Sequence, residues 1–251
     1  MTDCALVGIV HVHSEYSHDS RDSVASLREH ALARGVGFIG LADHAEDLDA
    51  DDYAALRRDC EAASDERVRI FPGLEFRFPG FKGLHLLALN LRQWITPGTP
   101  AEFLAMTSGV ADLTISAHPV LYRYRMPEEV RAGIDAVEVW NASYNTRYLP
   151  DPRAIRLLFD ILRSRPEVVA IAGLDQHDAQ NDRGARVILH QAEPDPLAAI
   201  RAGRFVNRGV TMGFDAHATL SPLALGGLSL ARTGLDLVNL AHERMMLMVK
   251  S

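Results

Sequence analysis

Apolar, β-rich runs alternate with amphipathic stretches along most of this chain. Runs at residues 5–12, 37–42, 68–76, 84–90, 113–117, 136–140 and 168–173 have the length and composition of strands. Between them lie helical stretches with readable ends. Ser23 is placed to cap a helix running to Arg34, with Gly35 just past its C-terminus. Asp151-Pro152 reads as a cap followed by a first-turn proline. After it, Ile155, Leu158, Phe159 and Leu162 follow the spacing of one buried helix face. Strands that alternate with helices and are apolar throughout imply a mainly parallel sheet covered on both sides. About seven such units suit a closed α/β barrel better than an open sheet. Residues 76–83, rich in glycine and proline, predict a turn that joins two strands without a helix. Beyond about residue 207 the pattern weakens, and Leu235, Val238, Leu240 and a Met-rich tail are expected to pack on the barrel. No repeat or linker divides the chain, so residues 1–251 read as one domain.

Composition narrows the class. With 47% hydrophobic and 24% charged residues among 251, the chain is globular rather than disordered or fibrous. No run approaches the ~18 apolar residues of a membrane helix, and the first residues lack a signal-peptide layout. Cys4 and Cys60 form no CxxC pair, so a cytoplasmic setting is expected and a thiolate zinc site is not. The net charge of −7 disfavours long nucleic acids as partners, whereas bound divalent ions would still admit an anionic small substrate. The run Gly35-Val36-Gly37-Phe38-Ile39-Gly40 spells GxGxxG. It lies between a helix end and a strand start, the reverse of the order a dinucleotide site needs.

Histidine carries the chemistry. Of eleven, seven sit near predicted strand ends: His11, His13, His18, His44, His85, His118 and His177. In an α/β barrel the C-terminal strand ends share the face where ligands gather. His85, near a strand start, would join them if its strand ran the other way. Residues i and i+2 of a strand share a face, so His11 and His13 can address one metal, and Asp175-Gln176-His177 repeats the spacing. Glu75 closes the third strand. Imidazole and carboxylate ligands without thiolates suit Zn, Mn or Fe, and a carboxylate can bridge two ions. His30, His190, His217 and His242 fit no such pattern and read as structural or exposed.

Taken in order, His11-Val12-His13-Ser14-Glu15-Tyr16-Ser17, Ala42-Asp43-His44, Gly73-Leu74-Glu75, Ala117-His118-Pro119 and Gly173-Leu174-Asp175-Gln176-His177 resemble the motifs of the polymerase and histidinol phosphatase (PHP) superfamily. The resemblance spans residues 5–206, leaving 207–251 outside it. It implies a distorted (β/α)7 TIM-like barrel with two or three metals at the C-terminal strand ends, and phosphoester hydrolysis. Carried over by position, His11, His13, Asp175 and Glu75 would hold a first metal. Glu75, His85 and His118 would hold a second. His44, His177 and His18, with Asp19 as the alternative to His18, would hold a third. Asp175 and His177 are the candidates for moving protons. Glu138 is assigned to no metal and is expected to orient a ligand.

A phosphorylated substrate needs partners for its oxygens, and arginine supplies a bidentate fork. Arg147 and Arg183, on loops of the metal face, are the substrate-binding candidates, with Arg123 and Arg125 in reserve. Tyr122, Tyr124, Tyr144 and Tyr148 interleave with them and would suit a ring-bearing phosphoester. An amidohydrolase-like hydrolase is the alternative, but Lys82 and Lys250 are the only lysines and neither lies at a strand end to bridge metals. A non-catalytic metal-binding module fits less well, because the ligand set is complete.

Overall fold

The computed structural model describes residues 5–145, 148–191 and 193–249, with side chains up to residue 238. The chain runs β1 (Val7–Val12), α1 (Val24–Ala33), β2 (Phe38–Leu41), β3 (Asp43–His44), α2 (Ala50–Ala63), β4 (Arg69–Phe71), β5 (Gly73–Arg77) and β6 (His85–Leu89). It continues through α3 (Pro100–Thr107), β7 (Leu113–Ala117), α4 (Glu128–Gly133), β8 (Ala136–Asn141), α5 (Pro152–Leu162) and β9 (Val169–Gly173). The last elements are β10 (Arg186–Leu189), α6 (Pro196–Arg201), β11 (Phe205–Arg208), β12 (Gly213–Asp215) and α7 (Pro222–Val249).

The strands form two six-stranded sheets, in the orders β12-β11-β10-β1-β2-β4 and β3-β5-β6-β7-β8-β9. Two chain segments pass directly, strand to strand, from the first sheet to the second. β2 gives way to β3 at Ala42, and β4 gives way to β5 at Pro72, whose missing N–H interrupts a ladder. Gly73 follows because the backbones converge there: a Cβ would lie 2.3 Å from the Leu41 carbonyl oxygen. At the other edge of the second sheet, the segment after β9 meets β1: Leu174 N–H donates to Val10 O at 3.0 Å and His13 N–H to Gln176 O at 2.9 Å. The sheets are therefore stitched together at both margins, but no single closed sheet forms among the described residues.

The expectation of a mainly parallel sheet is corrected. β6 runs antiparallel to β5 and β7, and β10 and β11 run antiparallel to their neighbours. The cause is local. The turn after β5 returns the chain directly, as its glycines and proline led one to expect. The segments that form β10–β12 are three or four residues long and partly polar, too short for a periodicity to show.

Both sheets contribute to one inner core. Val10, Phe38, Val187 and Phe205 from the first meet Leu87, Leu89, Ile115 and Ile171 from the second, with Leu197 and Ile200 of α6 joining them. A larger outer core lies between strands and helices and includes Trp140, Phe103 and Leu158. α1 stops before Gly35 and α5 begins at Pro152, as their punctuation predicts. α7 rests on α5, with Leu228 buried and Arg156 donating to Ser229 Oγ at 2.8 Å. Val238, expected to pack, is exposed, and the side chains of Leu240, His242 and the Met-rich tail lie outside the described residues. Among the described residues no helix is long and apolar enough to cross a membrane.

α2 starts directly after the segment carrying His44, so its anchoring bears on the site. Asp49 accepts from Asp51 N–H and Asp52 N–H, both at 2.9 Å, while Asp52 accepts from Asp49 N–H in return. Asp49→Ala should cost about 1 kcal/mol, a Tm drop of about 2–4 °C for a chain of this size. Thermal melting checks it, and an unchanged Tm would show that this cap contributes nothing to stability.

Candidate metal centre

Strand ends from both sheets deliver their polar side chains to one buried point. Glu75, near the end of β5, is 1% exposed, a burial that an ionised carboxylate withstands only among opposite charges or strong donors. Four imidazoles surround it. His85 Nδ1 lies 2.8 Å from Oε1, His118 Nε2 3.0 Å from Oε1, His44 Nδ1 3.1 Å from Oε2 and His11 Nε2 3.7 Å from Oε1. His85 reaches the site because β6 runs against β5, which puts its first residue opposite Arg77 at the same end of the sheet. Asp175 forms a second anionic point, with His13 Nε2 at 3.3 Å and His11 Nε2 at 3.5 Å from Oδ1. His177 stacks on His13 at 4.1 Å between ring centres, and its Nε2 faces Asp19 Oδ2 at 3.3 Å.

The H-x-H pair converges, but not by regular strand alternation. A register shift between Val10 and Val12 marks a bulge, and His11 sits there at φ +62°. His118 (φ +26°) and Asp175 (φ +50°) also occupy the left-handed region that non-glycine residues avoid. Such conformations cost about 1–3 kcal/mol each and persist where the surroundings over-determine them. Here three of the converging residues carry that strain.

The tautomers of two histidines follow from their outer partners. His11 Nδ1 lies 2.9 Å from Glu138 Oε1 and donates to it, which turns Nε2 inward, where a cation that displaced its proton would find a lone pair. Ser17 gives its hydroxyl proton to Asp43 Oδ1 at 2.7 Å, so its oxygen accepts from His13 Nδ1 at 3.3 Å. His13 Nε2 therefore also presents a lone pair. Asp43 is held in turn by the Ser14 N–H and hydroxyl, at 2.7 and 2.8 Å. Glu138, as expected, orients rather than joins: it also accepts from the His118 N–H at 2.7 Å and from Asn141 Nδ2 at 2.9 Å. The Asp43–Ser17 arrangement escaped the sequence reading. Its signal was present, because Asp43 precedes His44 and Ser17 follows the H-x-H motif by four residues.

These contacts fit a cation. His11 Nε2 and His13 Nε2 are buried without a hydrogen-bond partner, a costly state that a metal bond would relieve. Donor separations of 3.3–3.9 Å around Asp175 and Glu75 are close to the edge, about 3.4 Å, of a tetrahedron centred on an ion about 2.1 Å from each ligand. Among the described residues three groups bring their donor atoms within 4.8 Å of one another: His11, His13 and Asp175; His11, Glu75 and His118; and His13, His44 and His177. The electrostatics agree. Burial alone would lower the His11 pKa, yet Asp175 and Glu138 outweigh it and hold the ring well above the usual histidine value. Burial would raise the Glu75 pKa, but the rings of His11, His118, His44 and His85 hold it well below the carboxylate range. Burial lowers His13 to about 4, so its ring is neutral at pH 7. The buried anions are thus met in part by a protonated His11 ring, a charge that a bound cation would replace.

The other candidates are placed differently. His18, preferred for the third position, is 62% exposed on its side chain and turns to Asp47 Oδ2 at 2.7 Å. Asp19 instead faces both His44 and His177, at 3.4 and 3.3 Å. The partner that turns His18 aside, Asp47, is twenty-nine residues away and has no local sequence signal. Arg183 lines a polar cavity of about 120 Å³ with Ser143, Asp175, His177 and Asn181, and donates to Ala142 O at 3.0 Å. Arg147 lies outside the described residues. Tyr122 and Tyr124 are tied to Ser116 and Asp151, Arg123 and Arg125 are exposed, and Tyr144 covers His118 with ring centres 4.9 Å apart. Arg77 was overlooked: it follows Glu75 by two residues, on the same strand face, and its guanidinium Nη2 lies 3.5 Å from His44 Nδ1.

A two-sheet α/β fold with a histidine–carboxylate cluster at the strand ends is an arrangement that could hold metal ions. Residues 10–132, just under half of the chain, match the PHP domain family model, and the fold is consistent with a PHP superfamily protein. No curated protein sequence matches it. Solved structures similar in fold include PsfC from Pseudomonas syringae, with TM-score 0.58 and 16% identity over 92% of this chain and 99% of that one. Another is described as a candidate metal-dependent phosphoesterase from Bifidobacterium adolescentis, with TM-score 0.51 and 16% identity over 77% and 96%. At family level the match and the donor cluster support a metal-dependent hydrolase.

Gly173 tests the outer frame. A Cβ there would lie 1.7 Å from Glu138 Oε1. Gly173→Ala should displace Glu138 from His11 and weaken divalent-ion affinity about 10–100-fold, read by titration calorimetry. Undiminished affinity would show that Glu138 does not position the cluster.

Proposed function

We propose that this chain hydrolyses the phosphoester bond of a small phosphorylated substrate, using two to three divalent ions of Zn, Mn or Fe. The observation that carries this reading is Glu75, a buried carboxylate shared by four imidazoles with unpartnered nitrogens beside it. His11, His13 and Asp175 would hold one ion, His85 and His118 a second, with Glu75 between them. His44, His177 and Asp19 would hold a third. The two sheets, joined at both margins, are taken as the family's distorted (β/α)7 barrel. A cytoplasmic setting is proposed as well, supported by the free, buried Cys60.

Bound ions of this kind make hydroxide available near neutral pH and withdraw charge from phosphoryl oxygens. The chain's own residues do the rest. Asp175 Oδ1 accepts a hydrogen bond from the attacking water and sets its line of approach to phosphorus. The new O–P bond forms as the ester P–O bond breaks, and the proton released by water is returned to the leaving oxygen. In the form with two ions, where His177 binds none, this side chain, 30% exposed, is the residue proposed to return it through Nε2. Arg183, in the adjoining polar cavity, is proposed to grip an outer phosphoryl oxygen, with Arg147 as its partner.

The test separates these roles. Metal-reconstituted protein should contain two to three ions per chain and hydrolyse phosphomonoesters from a panel. Glu75→Gln should lower both metal content and kcat, and by more than His44→Ala does, because Glu75 would touch two ions. Arg183→Ala should keep its metal but lose about one to two decades in kcat/KM, the worth of a charge-assisted fork. Fewer than one ion per chain would overturn the multinuclear reading. Unaltered kinetics of Arg183→Ala would remove that arginine from the substrate.

A further inference from the structure

Beside the metal cluster lies an open cleft of about 470 Å³ between residues 45–46, the end of β5 and the loop 94–97. Its walls are mostly apolar, with Phe76, Phe78, Trp94 and Ile95 prominent and Glu46 and Arg77 at the rim. Its place follows from strand alternation. In β5, Glu75 points to the cluster, Phe76 to the helix layer and Arg77 to the cluster side again. Likewise His44 enters the cluster, and the next two residues, Ala45 and Glu46, line the cleft. The two concavities thus share one wall, and a single side chain spans it. The Arg77 guanidinium has Nη2 3.5 Å from His44 Nδ1 and Nη1 3.0 Å from Glu46 Oε1.

We propose that this cleft holds the organic part of the substrate, an apolar ring, while Arg77 reaches from it to the phosphoryl group at the cluster. The proposal rests on the phosphoester reading of the metal centre and adds a substrate class to it. Three observations favour a ring. The volume lies in the range of small-molecule sites. Phe76 and Phe78 are held edge-on by Phe103, with ring centres 5.4 and 6.1 Å apart, so their wall is rigid. Trp94, 5.9 Å from Tyr53, adds a further aromatic ring to the lining. Glu46 narrows the class further. Its carboxylate, paired with Arg77 at the rim, adds no net charge to the cleft, so an uncharged ring suits the mostly apolar wall.

The experiment compares benzyl phosphate with ethyl phosphate on the metal-loaded full chain, because their leaving alcohols are similarly reactive. The KM for benzyl phosphate should be about tenfold lower, the scale of one apolar pocket contact. Trp94→Ala should bring the two KM values together, and Trp94→Phe should restore most of the difference, with metal content retained in both. Benzylphosphonate, which cannot be hydrolysed, should change the tryptophan fluorescence of the parent saturably. Equal KM values for the two esters, unaffected by Trp94→Ala, would overturn the cleft while leaving the hydrolase reading intact. Saturable phosphonate binding that depends on Trp94, without turnover of any ester, would uphold the cleft and overturn the hydrolase reading.

Discussion

A carboxylate buried among imidazoles is the interaction on which this structure turns. Removing an ionised Glu75 from water costs several kcal/mol, and the protein offsets that by bringing four histidines from four separate segments onto it. His11 comes from the first sheet. Glu75 itself and the other three rings come from the second. The crossings at Ala42 and Pro72 and the stitching of β9 to β1 are what let side chains from both sheets meet. The inner apolar core beneath, built from both sheets, fixes the distance between them. Fold and site are therefore one constraint seen at two heights along the same strands.

The site is strained and charged at once. His11, His118 and Asp175 hold left-handed backbone conformations, and each is anchored by a partner farther out. Glu138 alone holds the His11 ring, the His118 amide and the Asn141 side chain. Asp43 does the same for the opposite flank through Ser14 and Ser17. Two buried carboxylates thus act as brackets, and two others, Glu75 and Asp175, face inward. Such a balance is short of positive charge, which is why the His11 ring holds its proton more tightly than an ordinary histidine. Divalent cations supply that charge without a proton.

Much of this was legible in the residue pattern, for identifiable reasons. The alternation of strands and helices, the caps of α1 and α5, and the helix-free turn before His85 all arise from local chemistry that short segments carry with them. The clustering of histidines with Glu75 and Asp175 was legible because strand ends share a face. Other features depend on distant parts of the chain. Asp47 captures His18 and leaves Asp19 beside His44 and His177, and no spacing near His18 signals it. The bulge at His11 achieves by backbone distortion what regular alternation was expected to achieve. β10, β11 and β12 are too short and too polar to stand out, so the antiparallel half of the first sheet was missed. Arg77 is less legible for a simpler reason: it stands on the strand two residues past Glu75 and not in a loop.

The central claim, that Glu75 is shared between ions held by histidines from both sheets, is tested most directly by anomalous X-ray diffraction from manganese-loaded crystals. The account predicts at least two peaks about 3.5–4 Å apart, the spacing of paired catalytic ions, flanking the Glu75 carboxylate. One should lie against His11, His13 and Asp175, the other against His85 and His118. A single peak bound away from Glu75, or ordered metal only at surface carboxylates, would contradict it.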